Sequence, residues 1–274
     1  MRRYGGIMVL LAAMALSGCM QMEMLVKVNS DGSGTIETTM GMSKATMGMM
    51  GEMPTADEDP FSEEAARSNT AEFGEGVTFL SAEKIDNDEM IGLRAIYEFD
   101  DINTVSATPA GGQEGMEAGA MEAVTFNFDP ADGGTLTVIM PGDEPGEETD
   151  NEVDESGLGM MKGFLAGMKI SMKLEIDAGI ASINTSRSFV EGNVVTLFEI
   201  DFDTIAENDD NLLEFMKSSN SGSAIAGIDG VTYVDENPLV IGFGAGGGFP
   251  IWYAGIGVLL IGLVIGVVMA MKKK

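Results

Sequence analysis

The pattern of apolar and polar residues predicts an α+β domain, a mainly antiparallel sheet with a few short helices, followed by a C-terminal transmembrane helix. Three observations carry this. Short runs with a period of two recur between Gly, Asn and Asp turns, helical periodicity is confined to brief stretches, and one apolar run near the C-terminus is far longer than any core strand.

Taken in order, Met24 to Val28 alternates with Met24, Val26 and Val28 on one face, and Asp31-Gly32-Ser33-Gly34 is hairpin turn chemistry. The return strand, Thr35 to Met42, puts Ile36, Thr38, Met40 and Met42 together. Asp59-Pro60-Phe61-Ser62-Glu63-Glu64 reads as a helix start with Asp59 as N-cap, Pro60 at the first position and acids near the positive end of the helix dipole. Strands follow at Val77 to Ala82 and Leu93 to Phe99, separated by the polar turn Asp86-Asn87-Asp88. A second hairpin pairs Val124, Phe126 and Phe128 with Leu136, Val138 and Met140. Gly159, Gly163 and Gly167 recur every four residues among Met160, Phe164, Leu165 and Met168. This predicts a short helix packed closely on the sheet, with an amphipathic segment touching a bilayer as the alternative. Lys169 to Ile176 alternates with Ile170, Met172, Leu174 and Ile176 inward, and Val194 to Phe202 is a further strand. Thr204 to Lys217 predicts a helix, and Val231 to Val240 an edge strand within a Gly/Ser-rich stalk.

The two ends predict an address. Arg2 and Arg3, the apolar stretch Ile7 to Leu16 and the small residues after it form an export signal closing with Leu16-Ser17-Gly18-Cys19. This resembles the lipobox of bacterial lipoproteins, which implies a diacylglyceryl group on Cys19 and cleavage that leaves Cys19 first. An ordinary signal with an accidental Cys is the alternative, and it would leave an exported thiol unpaired. Ile251 to Met271 carries no charge over 21 residues and is followed by Lys272, Lys273 and Lys274. At about 1.5 Å per residue it covers roughly 30 Å, enough to cross a bilayer. Trp252 and Tyr253 suit the headgroup region, and the three lysines favour a cytoplasmic C-terminus. A glycolipid-anchor signal is the eukaryotic alternative, against which the lipobox speaks. Gly262 and Gly266 form a GxxxG pair that suits a homodimer through helix packing.

The expected organisation is a signal peptide over 1–18, an exported domain over 19–220 with an acidic insert near 142–156, and a stalk over 221–248 containing the edge strand 231–240. A membrane helix over 249–271 and a cytoplasmic tail over 272–274 complete it. The expected location is the bacterial cytoplasmic membrane, with the main domain outside and both of its ends tied to one surface.

Charge narrows the function classes. The chain has 15 Lys or Arg against 44 Asp or Glu, a net −29, with no His and one Cys. Five bases lie at the ends, so Cys19 to Gly248 holds 15 − 5 = 10 bases against 44 acids, or −34. Such a domain lacks the basic face on which a nucleic-acid binder depends, so no nucleic acid is expected as a partner, and the charge should keep it soluble and off anionic headgroups. The absence of imidazole removes the commonest general base near neutral pH, and a single thiol removes disulfides and thiolate zinc sites. Asp143 to Glu155 has eight acids and no base in 13 residues, a composition that reads as a solvated loop.

The order of lipobox, immediate first strand, Pro60-Phe61-Ser62 helix start and Val77-Thr78-Phe79-Leu80 leads on to Lys169 to Phe202, the Gly-rich stalk and the terminal apolar helix. Within it, Met172-Lys173-Leu174-Glu175-Ile176 precedes Ala181-Ser182-Ile183-Asn184 and Glu191-Gly192-Asn193-Val194-Val195-Thr196. This resembles the LppM-domain lipoproteins of mycobacteria and other bacteria, although Val195 is an extra residue and Leu197 stands where that family has a tryptophan. The resemblance implies a membrane-held extracytoplasmic α+β domain with a lipid or glycolipid ligand, and it brings no catalytic residues.

Individual motifs add little chemistry. Gly242-Phe243-Gly244-Ala245-Gly246-Gly247 matches GxGxxG but leads into the membrane helix instead of a βαβ unit, and reads as a flexible stalk. Asp86-Asn87-Asp88-Glu89 and Asn208-Asp209-Asp210-Asn211 offer oxygens to calcium but lack its loop frame, so turn and helix-face roles are favoured and no metal is expected. Of the 23 methionines, Met40, Met42, Met47, Met49, Met50 and Met53 crowd one segment, where thioethers suit Cu(I) or, more simply, a pliable apolar surface. A carboxylate pair would suffice for glycoside hydrolysis, but 44 acids single out none. The expectation is a non-catalytic lipoprotein without cofactor that binds an amphipathic ligand between sheet and helix. A scaffold component of a membrane protein complex is the alternative.

Overall fold

Alternation decides the first strand. Along β1 (Met20–Val28), Met20, Met22, Met24, Val26 and Val28 are buried and the residues between them are not. The computed structural model describes residues 20–49, 59–88, 90–108, 123–140, 158–159, 162–163, 165–221, 227–234 and 236–244. Leu16 to Cys19, the acidic run Asp143 to Glu155, Met50, Met53 and the run Ile251 to Met271 with Gly262 and Gly266 lie outside the described residues. Among the described residues, no helix is long and apolar enough to cross a membrane.

After β1 come β2 (Gly34–Ser43), β3 (Val77–Asp86), β4 (Met90–Phe99), β5 (Ser106–Ala107), β6 (Val124–Asp129), β7 (Thr135–Ile139) and β8 (Lys169–Ile176). The remaining strands are β9 (Ile180–Ile183), β10 (Val190–Glu191), β11 (Val194–Asp201), β12 (Val231–Tyr233) and β13 (Leu239–Phe243). They form two sheets. The first runs β10-β11-β8-β1-β2-β4-β3, with β12 also pairing β11, and the second runs β5-β6-β7-β13-β9. The mixed α+β class and the mainly antiparallel pairing agree with the expectation, with one exception at the centre: β1 and β8 are parallel, Met24 opposite Met172 and Val28 opposite Ile176.

That register gives the first sheet two unlike ends. At one end lie the β1–β2 turn and the second sheet. Ile102 N–H donates to the Gly32 carbonyl at 2.9 Å, Phe128 and Phe243 stack with ring centroids 5.1 Å apart, and Phe243 N–H donates to the Gly134 carbonyl at 2.9 Å. At the other end methionines meet across strands, Met20 opposite Met42 and Met22 opposite Met40, with Met168 buried nearby in sequence just before β8. The two chain exits follow the same division. Met20 opens β1 at the methionine end, whereas Gly244, just past β13, donates its N–H to the Gly179 carbonyl at 2.8 Å, beyond Ile176 at the turn end.

Several elements differ from the sequence reading. The stretch Val231 to Val240 is two strands, not one: β12 extends the first sheet beside β11, and β13 runs through the second between β7 and β9. Gly242 is therefore a strand residue opposite Ser182, and Gly242-Phe243-Gly244 belongs to the fold and not to a stalk. The N-cap of α2 (Glu63–Ser68) is Ser62, whose Oγ accepts from Ala65 N–H at 3.1 Å, while Asp59 serves the preceding turn by accepting from Phe61 N–H. α1 (Lys44–Met49) follows β2 directly. The helix expected over Thr204 to Lys217 is divided into α3 (Phe202–Glu207) and α4 (Asp209–Ser221), because Asn208 leaves helical geometry and its side chain caps Asp210 N–H at 2.9 Å.

Residues 158, 159, 162, 163 and 165 are helical, and Leu158 and Leu165 are buried. The glycines do not mediate a close approach: a Cβ on Gly159 or Gly163 would meet nothing within 4 Å. Gly167 instead adopts φ 70° and donates its N–H to Asp203 at 2.6 Å, a turn role.

Candidate functional site

The place where helix meets sheet is defined by four successive sequence features. Pro60 and Phe61 lead into α2, and the 3-10 turn Asn69–Phe73 continues it before the chain enters β3. Phe61, Ala66 and Phe73 are each 3% exposed, so this segment presents an apolar underside to β2 and β4. Tyr97 of β4 fixes its position. The phenol donates to the Ala66 carbonyl at 3.0 Å, and the ring lies 4.7 Å from Phe73 and 5.9 Å from Phe79. Arg67 lies over the other aromatic of this group, 4.3 Å from the Phe79 ring centroid.

Beneath the segment is a cavity of ≈ 50 Å³, walled by Met22 and Met24 of β1, Thr38 and Met40 of β2, Leu93, Ala95 and Tyr97 of β4, and Pro60, Ala66, Asn69 and Phe73 above. Its walls are apolar apart from Asn69, Thr38, Thr39, the phenol of Tyr97 and Glu23. The phenol is uncharged at physiological pH, as an ordinary tyrosine is, and burial pushes its pKa further up, to about 12. Glu23 points its carboxylate to the opposite face of β1, where Lys173 donates to it at 2.8 Å. The cavity therefore offers van der Waals contact to an apolar group and a few hydrogen-bonding groups. Its volume is well below the few hundred Å³ of a typical ligand pocket, so a longer apolar group requires its walls to yield. Three thioether side chains among those walls supply that yield, since Met repacks at small cost.

The methionine segment singled out in the sequence is only partly at this site. Met40 lines the cavity, Met42 packs half-buried opposite Met20, and Met47 is buried in α1. The sequence reading missed Met22, Met24, Ala95 and Tyr97, which come from β1 and β4 and meet Met40 only through strand pairing. Their signal was present in the inward positions of alternating strands, but no spacing shows which strands become neighbours.

The other candidates resolve into structural roles. Asp86 pairs with Lys44 at 2.6 Å, which holds its carboxyl below the ordinary value, and Asn87 accepts from Met90 N–H to close the β3–β4 turn. Asp209 pairs with Lys162 and Asn208 caps α4. Asn184, which ends the Ala181 to Asn184 stretch, donates to the Pro238 carbonyl and accepts from Val240 N–H, locking β9 to β13. Asn193 reaches Glu175 and the Ile176 carbonyl from the β10–β11 turn, where Gly192 has φ 65°. Leu197 sits in a bulge of β11 and is fully buried.

On the outer face of the first sheet the bases are neutralised where they stand. Arg94 and Lys27 share Glu37, Lys27 also reaches Glu175, Lys173 pairs with Glu23, and Lys169 with Glu199, all within 4 Å. Exposed pairs of this kind contribute little stability, and their effect is to cancel positive potential across the sheet.

No protein-family model matches the chain, and no curated protein matches it. Among solved structures, the fold is similar to the folded domain of the Mycobacterium tuberculosis protein LppM, determined by NMR. The two are 11% identical, the match covers 66% of this chain and 81% of that one, and the TM-score is 0.30.

Proposed function

We propose that the protein is a bacterial envelope lipoprotein, tethered by a diacylglyceryl group on Cys19 and by a membrane helix at Ile251 to Met271, and that its α+β domain binds the apolar part of a lipid or other amphipathic ligand. The reading is non-catalytic, without metal or cofactor. The observation that carries the binding site is the ≈ 50 Å³ cavity between α2 and the first sheet, lined by adaptable thioethers and an uncharged phenol. An alkyl chain would displace the methionine side chains and remain against Phe73, Leu93 and Ala95, while its polar end would meet Asn69 and Thr38.

Ala95 gives the test, because it lines the cavity at 2% exposure and makes no side-chain hydrogen bond that a larger residue would lose. The full chain is purified in detergent from its own host and examined by native mass spectrometry, where a non-covalent lipid dissociates with collision energy and the group on Cys19 does not. Wild type should carry lipid, and Ala95→Val, which partly fills the cavity, should carry it several-fold less while keeping its circular dichroism. Lipid-free wild type, or equal lipid in the two proteins, would remove the proposal.

A further inference from the structure

The two chain exits lie at opposite ends of the central strand, and this limits how the domain sits if both anchors hold, a premise taken from the two-anchor reading above. Met20, one residue after Cys19, opens β1, and Val28 closes it beside Ile176 of the parallel β8. Gly244 is fixed beyond that second end through its bond to Gly179 and the pairing of Phe243 with Ile180. The eight steps of β1 at about 3.3 Å each separate the exits by roughly 26 Å along the strand. From Gly244 to Ile251 there are seven steps, which reach at most about 25 Å when fully extended and average roughly 14 Å for a Gly-rich chain in free solution.

We infer that the domain lies along the membrane, with β1 inclined toward the bilayer plane, and does not stand upright on its lipidated end. Standing upright would lift Gly244 about 26 Å above the lipid anchor and ask the tether for its full extension, the conformation with least entropy. At the average reach, the strand axis makes an angle of roughly 30° with the bilayer. The β1–β2 turn and the second sheet are thereby held within the tether's reach of the headgroups, against the repulsion that the domain's acidic charge meets at an anionic surface, while the methionine end stays beside the lipid anchor.

Cys19 is the single cysteine, so lipidation leaves an introduced thiol as the one available label. Ser30→Cys marks the turn end and Asp88→Cys the methionine end, both at exposed positions. The full chain, isolated from membranes and reconstituted into phosphatidylethanolamine and phosphatidylglycerol vesicles with an acceptor-labelled lipid, is measured by energy transfer from each site. The expected result is a difference in height between the sites of about 15 Å or less. Inserting ten Gly/Ser residues after Gly247 should raise the Ser30 label and leave the Asp88 label in place. A Ser30 label about 26 Å farther out than Asp88 in the unextended protein would overturn the inference with the anchors intact. Flotation and intact mass separate the other failure: a chain that does not float with the vesicles, or whose Cys19 is unmodified, refutes the two-anchor reading and the inference with it.

Discussion

The turn end and the methionine end of the first sheet are built from the same alternating strands but from opposite kinds of side chain. At the turn end, glycines admit rings and backbone at contact distance. A Cβ on Gly32 would lie 2.6 Å from the Phe128 ring, and one on Gly34 would lie 1.9 Å from the Lys27 carbonyl oxygen. Ile36, Ile102 and Ile176 there are fully buried. At the methionine end, Met20, Met22, Met40 and Met42 pair across β1 and β2, Met40 and Met42 remain half-buried, and the cavity opens beneath α2. Rigid branched and aromatic groups specify one arrangement, whereas unbranched thioethers tolerate several. The difference separates two roles: one end holds the two sheets together, and the other, on the binding reading proposed above, is the end able to change shape around a ligand.

The contrast should fail first at Gly34. Gly34→Ala places a methyl group against backbone that cannot move away without breaking the β1–β2 ladder, and against the Phe99 ring at 2.7 Å. The expected loss is roughly 3 kcal/mol or more, at the upper end for single substitutions, read as a lowered midpoint in urea unfolding of the full chain in detergent. A change within about 0.5 kcal/mol would show that the turn end is not the rigid one.

Much of the strand pattern beneath this division was legible in the sequence. The first hairpin, its turn at Asp31 to Gly34, the inward face of β8 and the second hairpin all follow from period-two alternation and turn residues. Three features were not legible, each for a physical reason. The parallel pairing of β1 with β8 joins residues more than 140 positions apart, and alternation names a face without naming a neighbour. The short run Val231 to Val240 contains Asn237-Pro238, which divides it between two sheets, yet its apolar residues alone suit one strand equally well. The cavity depends on Tyr97 reaching the Ala66 carbonyl across 31 residues, a contact set by the path of α2 over β4.

A milder change sharpens the comparison from the other side. Met22→Leu combined with Met40→Leu keeps the volume of the cavity wall nearly constant but replaces unbranched chains by stiffer ones. Each substitution should cost less than about 1.5 kcal/mol, so the unfolding midpoint should move far less than in Gly34→Ala. The lipid retained in native mass spectrometry should nevertheless fall several-fold, because the walls no longer yield. If lipid retention is unchanged, pliability of the methionines is not what admits the ligand.

The smallest effect concerns the edge of the methionine end, where Lys44 at the start of α1 donates to Asp86 at 2.6 Å. The hydrogen bond and the ammonium charge lower the Asp86 pKa, so the ionised carboxylate is favoured in the folded chain. The sign follows from proton linkage: the unfolded state holds its proton to higher pH, so the contribution is complete above the ordinary carboxylate value of 3.8 and is lost as pH falls through the lower, folded value. Asp86→Asn should therefore lower the thermal midpoint slightly at pH 7, and the difference from wild type should vanish once pH falls below the folded value and shrink in high salt at neutral pH. Both groups are solvent-exposed, so the shift at pH 7 should be the least of those described. A difference that persists unchanged at low pH would mean that Asp86 acts through the geometry of the β3–β4 turn and not through its charge.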